Sequence, residues 1–353
     1  MTRPTVMNPA EPRSNQTIML KVLLACSPGA VALFWHFGWG IFINVCLCAI
    51  CALCCEAAAL RLRNRPVSLH LRDGSALLTA VLLGLALPPL LPWWIVLTGC
   101  VFAIIFGKQL YGGLGNNPFN PGMVGYAALI VCFPEHMSRW IFPSDLLYEG
   151  TAHPGLWDAL MTVLTGYEGV DGITGATPLD IVRQNSGLMI NQLYDSNSVF
   201  NRGHWAGVGW EWVNLGFLTG GIFLLYARIF TWHAPIAMLG SLTAMSLFFW
   251  DSGSSASLGS PIFHLFSGAT MMGAFFIVTD PVSSATSRRG RIIYGVLIGT
   301  LVFAIRSWGD YPDALAFAVL LANCVAPTID RFSMRQPFGR ADTSEPNTSK
   351  EEC

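Results

Sequence analysis

The sequence predicts an all-α polytopic membrane protein of about ten transmembrane helices, arranged as two inverted five-helix repeats around an outward-facing insertion. Three observations predict it. Charged residues are 12% of the 353-residue chain, where a soluble domain carries about 25%. Hydrophobic residues reach 53%, and mean hydropathy is +0.50. Finally, the apolar residues gather into runs close to the ~20 residues that cross a bilayer as a helix. These runs form two sets of five on either side of a more polar stretch.

Residues 1–18 are polar and read as an N-terminal tail. The first repeat, 19–135, holds spans near 19–37, 41–59, 74–91, 92–107 and 121–135. No small-residue cleavage site follows the first apolar run, so it reads as a retained span and not a signal peptide. The insertion covers 136–210. The second repeat, 211–328, holds spans near 211–227, 234–250, 261–278, 291–305 and 313–328, and 329–353 form a C-terminal tail. Glycine and proline interrupt several runs, which makes two or three of them candidates for broken or re-entrant helices. Tryptophans such as Trp35, Trp39, Trp93, Trp94, Trp210, Trp232 and Trp308 fall near span ends, where amphipathic rings favour the headgroup layer.

Basic residues set the orientation. Arg3 and Arg13, the cluster Arg61, Arg63, Arg65 and Arg72, then Lys108, Arg228, Arg288, Arg289, Arg291, Arg331, Arg335 and Arg340 share one side if ten spans are crossed. Arg306 is the main exception. Both termini are therefore expected in the cytoplasm, with 136–210 on the outer side. Residues 115–134 echo 309–327. An odd number of spans per half turns the second half upside down, and inverted repeats place ligand sites near the midplane at broken helices.

Within the insertion, residues 171–180 read Asp-Gly-Ile-Thr-Gly-Ala-Thr-Pro-Leu-Asp. Gly175 and Ala176 leave the backbone beside Thr177 uncluttered, and Gly175 tolerates the dihedrals of a tight turn. Pro178 biases Thr177 away from helical geometry, so its hydroxyl is expected on an exposed bend. An ordinary polar turn would use the same residues. The run Asp171-x-x-Thr174-Gly175-Ala176-Thr177 resembles the acceptor signature for covalent flavin attachment. There a flavin transferase joins FMN to the threonine hydroxyl through a phosphoester. Asp171 would order the loop or help bind the transferase's metal.

Two further loops, 107–121 (Gly-Lys-Gln-Leu-Tyr-Gly-Gly-Leu-Gly-Asn-Asn-Pro-Phe-Asn-Pro) and 279–291 (Thr-Asp-Pro-Val-Ser-Ser-Ala-Thr-Ser-Arg-Arg-Gly-Arg), extend the likeness, as does Arg-Ser-Trp-Gly-Asp-Tyr-Pro-Asp at 306–313. With the acceptor run they make the chain similar to the NqrB/RnfD family. One branch, RnfD, is a membrane component of the Rnf ion-translocating oxidoreductase complex. The other, NqrB, belongs to the sodium-pumping NADH:quinone oxidoreductase. The quinone-reducing relative usually carries a longer N-terminal extension, so the Rnf type is preferred. The resemblance implies a fold like that of urea channels, FMN covalently held at Thr177, and a second, non-covalent flavin, riboflavin. It also implies sister subunits A, B, C, E and G, a flavin transferase for maturation, and residence in the bacterial inner membrane. Activity would belong to a redox-driven Na+ or H+ translocase, with no independent catalysis by the isolated chain.

Asn117 and Asn120 are the candidates for the second flavin, because primary amides match the donors and acceptors of an isoalloxazine edge. Helix capping ahead of the fifth span suits them equally well. Cys48, Cys51, Cys54 and Cys55 lie along one span and cannot surround a single ion, so they read as apolar packers. Gly112, Gly113 and Gly115 sit in no strand–turn–helix unit, so they are no dinucleotide fingerprint. Glu56, Lys108, Asp251, Asp280, Asp310 and Asp313 are ionisable groups near span ends; Asp280 is the first candidate for ion coupling. A net charge of −1 and a pI near 6.6 leave nucleic-acid binding without support. A flavin-free solute channel built from inverted halves is the alternative from another functional class.

Overall fold

The structure, a computed structural model, describes residues 12–147, 151–166, 171–185, 190–250, 259–309, 311 and 313–333. Arg3, Asp251, Asp310, Arg335 and Arg340 lie outside them. In the first half, α1 spans Pro12–Phe37, α2 Trp39–Leu62, α3 Val67–Leu71 and α4 Ser75–Ala86. Then come α5, Trp93–Gln109, whose second part is π-helical, and α6, Pro121–Cys132. Next are the short helices α7 Pro134–Ser138, α8 Leu156–Thr165, α9 Pro178–Gln184, α10 Ile190–Ser196 and α11 Ser198–Asn201. The second half holds α12 Trp210–Tyr226, α13 His233–Phe248, α14 Pro261–Phe266, α15 Thr270–Met272 with a π-helical continuation Gly273–Ile277, α16 Arg288–Trp308 and α17 Leu315–Ser333.

All ten apolar runs contain helix. Four described helices are long and apolar enough to cross a membrane: Asn15–Phe37, Trp39–Leu62, Arg288–Trp308 and Leu315–Ser333. The other apolar runs form shorter helices, two of them with clear interruptions. Pro88 and Pro89 stop α4, since proline offers no N–H and restrains the residue before it. The eighth run breaks between α14 and α15 at Gly268, whose φ of +57° lies in the left-handed region. The first helix begins at Pro12, inside the stretch expected to be a tail.

Helix packing follows a common pattern in both halves. α2 packs on α4 and α5, as α13 packs on α14 and α16; α6 packs on α5, as α17 packs on α16. The halves meet through α1 against α12 and α6 against α17. Small residues bring the backbones together: a Cβ on Gly216 of α12 would stand 2.8 Å from Gly29 Cα of α1. Close backbone approach of this kind is how helices associate where lipid tails are as apolar as leucine.

Two of the basic residues used for orientation are not loop charges. Lys108 lies within α5 and is 2% exposed; Arg306 lies within α16 and is 5% exposed. Each is held by buried acceptors, so neither reports on sidedness. Arg306 thus ceases to be an exception to the charge rule.

Candidate functional site

The run leading to Thr177 is clamped within the insertion by a two-residue antiparallel pair, β1 (Trp140–Ile141) with β2 (Thr174–Gly175). The Phe142 amide extends it by donating to the Ile173 carbonyl at 2.8 Å. A Cβ on Gly175 would fall on the Phe142 ring, while Gly175 has no positive φ. Glycine is needed here for space, and the expected unusual dihedral is absent. Asp171 opens the 3-10 turn Asp171–Ile173, and Ala176 is exposed.

Thr177 is extended, with φ −69° and ψ 161°, and Pro178 follows as the first residue of α9. The backbone expectation holds, but the exposed bend does not: Thr177 is half-buried and caps the helix. Its Oγ1 accepts from the Asp180 amide at 3.3 Å, and its own amide donates to Asp180 Oδ2 at 3.1 Å. Together these form a capping box, which satisfies helix N–H groups that have no partner within the helix. The Thr177 hydroxyl additionally donates to the same Asp180 oxygen at 2.6 Å. Burial pushes the Asp180 carboxyl above its ordinary pKa, against the opposing effect of the Thr177 hydrogen bonds and of Arg183. A small core of Leu179, Ile181, Val182, Leu193, Phe200 and Phe263 fixes α9; full burial of such side chains is worth about 1.5–3 kcal/mol each.

Thr177 faces a cavity of about 440 Å³ whose walls include Asp180, Arg183, Tyr126, Trp140 and Trp210. That is in the range of small-molecule sites, with the usual aromatic walls and few polar groups. The Trp140 and Trp210 rings meet edge to face, centroids 4.7 Å apart.

A second cavity, about 130 Å³, is lined by Ser75, Lys108, Asn117, Asn120, Phe275 and Asp280 among others. Here the two asparagines part. Asn120 Oδ1 accepts from the Met123 amide at 3.2 Å and caps α6, while its Nδ2 lies 3.5 Å from Asp280 Oδ2. Asn117 Nδ2 donates to the Phe119 carbonyl at 2.9 Å. Its Oδ1 is buried without a hydrogen-bond partner among the described residues. Asp280 accepts from Ser283 Oγ at 2.8 Å and the Val282 amide at 3.3 Å, so it serves its own turn as well as the cavity wall.

The two cavities lie along the same helices. On α6, Gly122 lines the smaller and Tyr126 the larger; on α4 the corresponding residues are Leu82 and Leu85, and on the α15 segment Phe275 and Met272. At 1.5 Å of rise per residue the walls are separated by roughly 5 Å, about one turn. The septum is mainly apolar.

Two cations that the sequence placed near span ends, Lys108 and Arg306, are buried. Lys108 Nζ donates to Glu56 Oε1 at 2.5 Å and to Ser75 Oγ at 2.7 Å. Gln109 Nε2 also donates to Glu56 Oε1, at 2.9 Å. Arg306 donates to the His264 carbonyl and Thr270 Oγ1, each at 3.0 Å, and to the Ser267 carbonyl at 3.5 Å. The five cysteines of α2 are spread around the helix: Cys48 is buried, Cys51 and Cys55 are intermediate, and Cys46 and Cys54 are exposed.

Comparison with known proteins places this architecture. The model of the NQR2, RnfD, RnfE family matches residues 7–339. The chain belongs to the NQR2, RnfD, RnfE family. Several curated proteins that resemble it are named as the D subunit of an ion-translocating oxidoreductase complex. One from Cellvibrio japonicus is 52% identical, covering 95% of this chain and 94% of the relative. One from Pseudomonas aeruginosa is 51% identical over 96% of both chains. One from Aeromonas salmonicida is 50% identical, covering 93% and 95%.

Proposed function

We propose that this chain is the flavin-carrying membrane subunit of an Rnf-type ion-translocating oxidoreductase complex, relaying electrons across the bilayer while the complex moves Na+ or H+. The observation that carries the reading is the pair of cavities stacked along α6, one of them opening on the acceptor threonine. Thr177 would hold FMN through Oγ1, with Tyr126, Trp140 and Trp210 walling the cavity. Asn117 would hold riboflavin at the smaller cavity, its unpartnered Oδ1 supplying the acceptor that a flavin ring N–H needs. Bound flavins supply one- and two-electron redox chemistry. The protein contributes two cavities whose nearest walls on α4, α6 and the α15 segment are about a helical turn apart, with a mainly apolar septum between them. That apolar septum suits electron exchange. The identity of about half to relatives named as the D subunit favours the Rnf type over the quinone-reducing relative.

An inverted repeat is supported from inside the fold. In each half the fourth-span helix places a buried cation on a hydroxyl at the start of the third-span helix: Lys108 on Ser75, and Arg306 on Thr270. A left-handed glycine turns the chain just before each, Gly74 at φ +76° and Gly268 at φ +57°. Arg139, Arg183 and Arg202 lie in the long insertion, whereas the basic residues of the short connections gather at the Asn117 end. Arg63 and Arg65 bond the carbonyls of Gln109 and Gly112, and Arg291 lines the smaller cavity. By the positive-inside rule that end is cytoplasmic and Thr177 is periplasmic. The sister subunits would surround the exposed apolar faces together with lipid, and Asp280, beside Asn120, is the ion-coupling candidate.

Two measurements test this reading. This chain, separated from the other subunits of the purified complex, should retain one covalent flavin after denaturation, and the complex should release one further flavin that is lost with Asn117→Leu. Asn117→Leu should lose the extractable flavin and keep the covalent one; retention of both at wild-type stoichiometry removes Asn117 from the site. Asn120→Ala should instead cost about 1 kcal/mol of stability through its helix cap. Fusions of a reporter active only outside the cytoplasm should be active near residue 200 and silent near 68, 115, 285 and 340. Activity at 285 with silence at 200 would reverse the orientation.

A further inference from the structure

A capping box asks for two hydrogen bonds: the cap side chain accepts from the third helical amide, and the third residue's side chain accepts from the cap amide. Thr177 and Asp180 make both. They then make a third that the helix does not require, the Thr177 hydroxyl donating to Asp180 Oδ2 at 2.6 Å. The oxygen to be modified is therefore already hydrogen-bonded, through its proton, to a carboxylate. Both groups line the larger cavity.

We propose that Asp180 is a catalytic residue of the flavin attachment step, the base that takes the Thr177 hydroxyl proton as a flavin transferase modifies the chain. The inference rests on the covalent-FMN reading above. The donor is a flavin adenine dinucleotide brought by the transferase. Thr177 Oγ1 attacks the flavin-side phosphorus and forms the new P–O ester bond. The P–O bond of the pyrophosphate linkage breaks, and the adenosine monophosphate leaves with that bonding pair. The proton moves from Oγ1 to Asp180 Oδ2. No electron is gained or lost.

The surroundings of Asp180 suit this task. A base works best with a pKa near the working pH, and burial moves this carboxyl upward from the ordinary carboxylate range. Arg183 on α9 opposes the rise, and Asp313, just before α17, adds to it. Tyr126 on α6, bonded to Asp313 at 3.3 Å, Glu135 on α7 and Tyr311 complete the ionisable lining. Once protonated, Asp180 no longer opposes the negative phosphoester forming beside it, and its hydroxyl becomes a donor toward that group.

The test uses the whole complex, produced without a transferase and then incubated with purified flavin transferase and flavin adenine dinucleotide. Flavin fluorescence of the denatured subunit is followed with time. Asp180→Asn keeps a side-chain oxygen for the cap but removes the base. It should slow attachment by roughly 100-fold or more, the range typical of a lost general base. Asp180→Glu should recover part of the rate. Wild-type attachment should slow as pH falls through the raised pKa of the carboxyl, because the protonated form cannot accept the threonine proton; Asp180→Asn should lose this dependence. Attachment to Asp180→Asn at the wild-type rate overturns the proposal. Should that variant not assemble, Asp180→Ser, which also keeps a capping oxygen, replaces it with the same expected loss and the same contrary result. Wild type that never acquires flavin at Thr177 would defeat the covalent-FMN reading itself, a distinct outcome.

Discussion

Thr177→Ala should abolish electron flux and ion pumping together while the complex still assembles. The substitution removes one hydroxyl, and with it the proposed attachment point of the covalent flavin. Its structural cost is small. Loss of an N-cap side chain is worth about 1 kcal/mol, and the apolar cluster that anchors α9, with Leu179, Val182 and Phe200, is untouched. Thr177→Ser keeps a hydroxyl and should retain flavin and activity. The assay is coupled: ion uptake into vesicles and electron transfer measured on one preparation, with assembly checked by co-purification of the other subunits. Pumping by the alanine variant at the wild-type rate would eliminate the relay role.

Lys108→Met should have the largest effect on stability. Lys108 and Glu56 are 2% and 1% exposed, joined at 2.5 Å, and Glu56 Oε2 already lacks a partner among the described residues. Removing the ammonium strands a carboxylate in the core, which costs about 3–5 kcal/mol when one partner of a buried pair is deleted. The double substitution Lys108→Met with Glu56→Gln removes both charges and should recover most of that loss. Thermal unfolding of the solubilised complex reads both. A single variant that melts with wild type would mean that the ammonium does not compensate Glu56.

Hydropathy made the helical elements legible because it measures what a bilayer selects, continuous apolar length. It was weakest at the edges. α1 runs back to Pro12, since Asn15 and its polar neighbours are compatible with helix and only unfavourable in lipid. α4 ends at Ala86, short of its apolar run, because Pro88 and Pro89 stop a helix whatever the hydropathy. Lys108 and Arg306 were misread for a related reason. A charge near a span end looks the same in sequence whether it faces water or a buried acceptor, and the acceptors are far away: Glu56 lies 52 positions from Lys108, and Thr270 lies 36 from Arg306.

At the candidate site, the run containing Thr177 was legible as a motif, and the carboxylate that partners its hydroxyl went unread. Thr177-x-x-Asp180 spells a capping box, a local signal that was present in the sequence and identifies both the helix start and the carboxylate on the hydroxyl. The sequence offered flavin binding and helix capping equally for Asn117 and Asn120; the structure distinguishes them, because the Asn120 side-chain oxygen caps α6 and that of Asn117 has no hydrogen-bond partner among the described residues. That distinction depends on which amide precedes Pro121, a position where proline favours a helix start. The stacking of the two cavities was not legible, because it arises from α4, α6 and the α15 segment meeting across the two halves.

The mass of the peptide containing Thr177, taken from the complex purified out of cells that express a flavin transferase, tests the central claim most directly. The account predicts a peptide carrying one FMN in phosphoester linkage, with fragmentation placing it on Thr177. An unmodified Thr177 peptide, or a flavin fragmenting from any other residue, would contradict it.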